Sequence, residues 1–390
     1  MPNAGAASLT GYLYQVKTCL VWALEKLSRD SAFRVALETL DDVVFYSAEG
    51  DPRTVLQTKH HVGRRASLTD ASPDIWRTFA LWLAQGLGGT QSQHLILLTT
   101  EATQPNSAAN YLTLTRDRNV NQARERLITV ARTSHNAENT QGYRLFLQLS
   151  TDEQLEFLNS LTVIDSAPSM SNLDDDLRAA VYPAVSRAHV EPFLERLEGW
   201  WLRRVLQGLT DGESVILAEE IDFKLSDLRE QFSTESLPID DEVLDAPIDF
   251  EVYADQVFVE QIKITGANEY RVLAAIRDYY RAFEHRSRWT QDGLLRSGEL
   301  VAYERELQEA WELRFARMMD DVGKQESEET KQSAGRKLLE WAEDAHMPIR
   351  PRVSKPFVTS GSLHMLSDQQ KIGWHIDFRM RLAGLLVSHD

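Results

Sequence analysis

Cysteine is almost missing from this sequence: Cys19 is the single one in 390 residues. An intramolecular disulfide framework is therefore excluded, and a reducing compartment is expected. Cys19 lies within an apolar helical pattern, where a thiol serves as core filler. No apolar run approaches the ~18 residues that a membrane span needs, and no basic-plus-apolar leader is visible, so a cytoplasmic protein without a membrane partner is expected. There is no CxxC, no HExxH and no second histidine cluster, which argues against a zinc enzyme. Residues 166–390 spell neither a phosphate-binding loop nor a nucleophile triad. Positive charge is scarce as well. Lys and Arg number 42 against 59 Asp and Glu, a formal net charge of −17. That balance argues against a protein that coats nucleic acid, because phosphate binding draws on Lys and Arg. A fixed-period repeat and a long low-complexity segment are also absent.

What remains is an ordinary globular composition, 43% hydrophobic and 26% charged, over a length that favours two domains. The charge is uneven. Residues 1–165 carry roughly 15 basic and 17 acidic side chains, so nearly all the excess negative charge falls on the remainder. The stretch DSAPSMSN at 165–172 has linker composition and precedes an acidic helix start at Asp174-Asp175-Asp176. The boundary is placed there, giving domains 1–165 and 166–390.

The first part opens with a helical pattern over 8–28, with Ser8 or Thr10 as cap candidates. Strand-like runs follow at Phe33–Leu37, Val43–Tyr46 and Thr54–Gln57, the last two joined by hairpin composition at 48–52. A helix through Trp76 and Phe79 starts near Asp70 or Ser72. His94–Thr99 is a continuous apolar run, as in a strand buried on both faces. Helical pattern then occupies about 105–160, and Leu161–Ile164 reads as a last short strand. The second part is mainly helical, over 189–209, 214–232, 268–288, 298–321 and around 338–345. Val257–Ile264 fits a strand or a buried helix turn. The acidic, proline-bearing stretch 235–249 reads as a loop or lid, 323–334 as a polar mobile tract, and 348–356 as an extended connector.

Chemistry concentrates in FRVALETLDDVVFYSAEGDPRTVLQTKHH, residues 33–61. Gln57 and Lys59 stand two apart on one strand and so share a face, with Thr58 on the other. An antiparallel hairpin brings the head of the second strand, Asp41 and Asp42, beside them, and Glu38 ends the preceding strand. Carboxylates that hold a divalent metal, with a cation for the developing phosphorane charge, are the parts that phosphodiester hydrolysis needs. The expected metal ligands are Asp42, Gln57, Glu38 and Asp41, with Mg²⁺ or Mn²⁺ as cofactor. The expected catalytic residues are Asp42, Gln57 and Lys59. Hairpin register decides whether Asp41 or Asp42 is the main ligand. His60 and His61 point to opposite faces of a strand and cannot readily chelate one ion together. Arg64 and Arg65, then Arg116, Arg118, Arg124, Arg126 and Arg132, could form a basic face or a solvated surface. Glu260-Gln261-Ile262-Lys263 repeats the Q-x-K spelling with no carboxylate-bearing hairpin before it and reads as coincidence.

GYLYQ at 11–15, ALETLDDV at 36–43 and LQTKHH at 56–61 resemble the N-terminal domain of CD-NTase-associated double-stranded DNA endonucleases. That domain belongs to the PD-(D/E)XK superfamily, in a variant with Q-x-K. The resemblance covers about the first 100 to 160 residues and implies an α/β restriction-endonuclease-like domain followed by a mainly α-helical one. It implies catalysis by Asp42, Gln57 and Lys59, with Gln15 of the GxxYQ pattern as a helper candidate. HVEPFLERLEGWW, LREQF with LPID, DYYRAFEHRSRW and GWHIDF resemble C-terminal domains of effectors in ABC-three-component systems, prokaryotic conflict systems that pair an effector with an ATPase. The resemblances imply a Mg-dependent DNA endonuclease of anti-phage or anti-plasmid defence, acting on double-stranded DNA, docking a partner ATPase and forming a homo-oligomer. The competing expectation is a catalytically degenerate nucleic-acid-binding or scaffold subunit.

Overall fold

The opening helical pattern forms α1 (Ala4–Leu27) in a computed structural model that describes residues 4–60, 67–89, 93–212, 214–323 and 326–387. The helix starts ahead of Ser8, so the Thr10 hydroxyl turns back to the Ala6 carbonyl instead of capping. The β-branched and aromatic runs become β1 (Phe33–Leu37), β2 (Val43–Ser47) and β3 (Pro52–Lys59). They pair antiparallel, with Leu37 opposite Val43 and Val43 opposite Leu56. Short β4 (Ser67–Leu68) precedes α2 (Pro73–Ala84), whose first turn holds a proline that needs no N–H there. The apolar run HLILLT is β5 (His94–Thr99), parallel to β3, and β6 (Ala102–Thr103) pairs with β4 in a separate two-stranded sheet. Helices α3 (Ala108–Tyr111), α4 (Val120–Thr133), α5 (Thr140–Gln148) and α6 (Thr151–Ser160) lead to β7 (Leu161–Ile164), parallel to β5. After α7 (Met170–Val181) and α8 (Val190–Asp211) comes β8 (Val215–Leu217), antiparallel to β1, and then α9 (Ala218–Gln231). The main sheet has six strands in the order β7-β5-β3-β2-β1-β8. One face is sealed by Val44, Val55 and Leu97 against Trp76, Phe79 and Trp82 of α2.

Two compact units result, Met1–Ser186 with Val190–Ser226, and Arg187–His189 with Asp227–Asp390. The structural division lies well beyond residue 165, and the reason is physical. The Tyr14 hydroxyl donates to the Pro168 carbonyl at 3.0 Å, and the Trp201 indole N–H to the Val16 carbonyl at 2.9 Å. Lys17 pairs with Asp174 and Glu198. The acidic helix start therefore completes the first unit by neutralising α1. Residues 215–217, expected to be helical, instead add the edge strand β8, with Ile216 opposite Val35.

The second unit is helical: α10 (Asp241–Leu244), α11 (Val257–Ile264), α12 (Glu269–Gln291), α13 (Glu299–Asp321), α14 (Glu328–Asp344), α15 (Pro356–Asp368) and α16 (Phe378–Val387). Of the two readings of 257–264, the helix holds. Residues 328–334, expected to be a mobile tract, form the first two turns of α14, capped by the Ser327 hydroxyl on the Thr330 N–H. The 235–249 stretch is no lid. Its backbone is held by the Trp289 indole on Pro238, by His285 on the Asp240 N–H and by Arg350 on the Ser236 carbonyl. Helix α15 had no counterpart in the sequence reading, yet most of its side chains are buried. Its serines and threonines find partners inside: Ser360 donates to Asp278, and Thr359 to the Met347 carbonyl. No described helix is long and apolar enough to cross a membrane.

Candidate active site

The turn between β1 and β2 sets the site. Glu38 takes a left-handed backbone at φ 53, a conformation that costs a non-glycine residue free energy. Its N–H donates to the Asp42 carbonyl at 3.2 Å, and the Asp42 N–H donates to the Asp41 carboxylate at 2.9 Å. The turn thus presents three carboxylates within five residues at the start of β2. Asp42 is then fixed from β3, accepting from the Thr58 N–H at 2.7 Å and the Thr58 hydroxyl at 2.8 Å. Asp41 is fixed from α2 by the indole N–H of Trp82.

These partners show which way each carboxylate turns. Val55 packs on the α2 side of the sheet, so alternation carries Gln57 and Lys59 to that side too. Asp41, bonded to Trp82 of α2, lies on the same side. Asp42 turns toward Thr58, whose side chain belongs to the opposite face. The two adjacent carboxylates therefore part, and Gln57 and Lys59 share a face with Asp41.

Burial makes the cluster electrostatically tense. Asp41, Asp42, Gln57 and Thr58 are each no more than 8% exposed. Desolvation, joined by the neighbouring Asp42 charge, pushes the Asp41 carboxyl up to about 7, against the Trp82 bond and the Lys59 charge, which favour ionisation. Glu38 is raised by burial and by Asp42. The Tyr12 hydroxyl, on α1, is raised by burial, then by Glu38. Glu38 thus couples the Asp42 side of the sheet to α1. The Tyr12 hydroxyl and the Gln15 side-chain carbonyl oxygen, three residues apart on one helical face, are both buried without a hydrogen-bond partner.

An all-oxygen donor set of carboxylates and amides suits a hard cation such as Mg²⁺, and mutually repelling buried carboxylates would be relieved by one. Among the described residues, however, no three His, Cys, Asp or Glu side chains converge on one point, because Asp41 and Asp42 diverge. The fit to a metal is therefore one of chemistry and charge.

The other sequence candidates take structural places. His60 stacks on Tyr14, ring centroids 4.6 Å apart, so it packs α1 to the sheet. His61, Arg64 and Arg65 lie outside the described residues. Arg118 donates to the carbonyls of Leu112 and Leu161, Arg124 to Gln154 and Thr151, and Arg126 to Asp70. These three hold loops and helices together, which removes them from any basic face and leaves Arg116 and Arg132. Gln261 is wholly buried, with its amide on the Ser367 and Ile372 carbonyls, and Lys263 pairs with Glu260, so the second Q-x-K is structural. Trp201, Trp289, Trp311 and Trp374 are core residues. Sequence reasoning missed Thr58, Trp82 and Tyr12 as organisers of the site. Thr58 stood in view between Gln57 and Lys59. Alternation points it away from them, to the side that Asp42 takes.

Residues 258–382 match the family described as C-terminal domain 7 of the ABC-three component (ABC-3C) systems. The matched span lies in the second unit, from α11 into α16, and includes the segments DYYRAFEHRSRW and GWHIDF. It sets the C-terminal part of the chain among ABC-three-component systems. No curated protein matches the chain.

Proposed function

We propose that the chain is the nuclease effector of an ABC-three-component defence system, cutting double-stranded DNA with its first unit and docking a partner ATPase with its second. One observation carries the catalytic part: buried Gln57 and half-buried Lys59 on one sheet face beside Asp41, with Asp42 and Glu38 on the adjoining turn. A purely structural turn seldom sets a carboxylate such as Asp42 where its charge raises the cost of ionising two others, Asp41 and Glu38; a functional site does. Asp42, fixed by Thr58, and Glu38 are the carboxylates that would hold Mg²⁺ or Mn²⁺ where the start of β2 meets the end of β3, with Asp41 and Gln57 flanking that point from the other sheet face. A cation held there would supply Lewis-acid stabilisation of the scissile phosphate. Lys59 brings its ammonium to the phosphate oxygens and the attacking water, and Trp82 keeps Asp41 turned to that side. The family match of the second unit supports the defence setting and an ATPase partner.

A non-catalytic scaffold reading draws on the divergence of Asp41 and Asp42. The two readings part in one assay. Supercoiled plasmid is incubated with the purified chain in Mg²⁺, in chelator, and with Asp42→Asn, each with and without the partner ATPase. The nuclease reading expects Mg²⁺-dependent nicking that chelator abolishes and Asp42→Asn lowers by about 100-fold, a typical loss for a residue acting on the transition state. No nicking under any condition supports the scaffold.

A further inference from the structure

In the second unit, a groove of about 700 Å³ runs between α13 and α14, a size usual for ligand sites. Its floor is apolar, from Met318, Val322 and Leu338. Its walls are sorted by charge. The guanidinium of Arg314 lies 4.3 Å from the Trp341 ring centroid, a cation on an aromatic face. Arg317 lies one turn further along α13, and Lys337 one turn before Trp341 on α14. Asp321 and Glu329 lie toward the connection between the two helices. At 1.5 Å rise per residue, Arg314 and Asp321 are about 10 Å apart along α13, and Lys337 and Glu329 about 12 Å along α14. The groove therefore has a basic, aromatic half and an acidic half. Arg317 and Lys337 have no ion-pair partner among the described residues.

We infer that this groove docks an acidic peptide segment of a partner protein, one that seats an apolar side chain beside Trp341. Arg317 and Lys337 are both exposed, on the basic half of the groove. They stay open to an incoming carboxylate, and the Arg314–Trp341 pair offers a flat platform to an apolar anchor. A phosphate ligand is disfavoured: among the described residues that line the groove there is no glycine turn of backbone N–H groups.

The inference rests on the docking part of the proposed function and is independent of the chemistry of the first unit. Its test is selection of short random peptides displayed on phage against the full chain, followed by fluorescence anisotropy with the recovered peptides. The expected peptides carry Asp or Glu beside Leu, Phe or Trp. They bind the double variant Arg317→Glu, Lys337→Glu at least about tenfold more weakly, or ~1.4 kcal/mol, and weaken with added salt. Both positions are exposed, so the variant keeps its fold. Recovered peptides without acidic enrichment, equal binding to the double variant, or no specific binders would each overturn the inference. So would displacement of the peptide by a DNA duplex, which would reassign the groove to nucleic acid. Plasmid nicking by the double variant is expected to be unchanged, so a failed groove and a failed nuclease reading are told apart.

Discussion

Asp42 owes its position to Thr58, which gives it both a backbone and a hydroxyl donor. Thr58→Val keeps the shape and the N–H but removes the hydroxyl. We expect a loss of ~1–2 kcal/mol in stability, from a buried acceptor left partly unsatisfied, and at least a tenfold drop in DNA nicking. Thermal melting and plasmid assays on the same preparation check both. In the other unit, His364 is enclosed by Phe258 and Trp374, and burial pulls its pKa down to about 3. The unfolded chain takes up this proton below about 6.5, while the folded chain takes it up only near 3. The neutral histidine's contribution is therefore complete above 6.5 and is lost as pH falls. Between pH 7 and pH 5 the loss is about 2 kcal/mol. Urea unfolding at the two pH values measures it, and His364→Met is expected to flatten the difference.

Elements differ in how openly the sequence announces them. Strands β1, β2, β3 and β5 stood out because their apolar runs are short, β-branched and bounded by turn residues. Even the antiparallel hairpin that gathers Asp41, Asp42, Gln57 and Lys59 could be read. The parting of Asp41 from Asp42 could not, since it depends on Trp82 and Thr58 reaching in from elements distant in sequence. Helix α15 escaped notice for the opposite reason: PFVTSGSLHMLSD has no polar stripe to reveal a period, because it is buried almost all round. Gly361 shows how close its packing is. A Cβ there would lie 2.1 Å from the Asp278 carbonyl oxygen and 2.6 Å from the Ala282 Cβ. Gly361→Ala is expected to destabilise the second unit by about 3 kcal/mol, read by chemical denaturation. Arg118 was legible only as a charge, and its carbonyl partners make it a strut. Arg118→Met is expected to cost about 2 kcal/mol of stability and to leave the salt dependence of DNA binding unchanged.

At the scale of the whole molecule, composition pointed to two parts of unlike charge. Compactness divides the chain near 226, not 165, because α7, α8 and β8 complete the first unit. The acid that follows residue 165 is thus shared, some of it pairing with α1 through Lys17 and some filling the helical second unit. The family match lies in the second unit, and chemistry is argued from the first. The most direct test of that chemistry is the rate of plasmid nicking in Mg²⁺ by the wild type and by Lys59→Ala. Lys59 sits at a strand end and is half-buried, so the variant is expected to fold. The account predicts nicking by the wild type, with the partner ATPase present if required, and a fall of about 100-fold or more in the variant. Equal rates for the two proteins would contradict it.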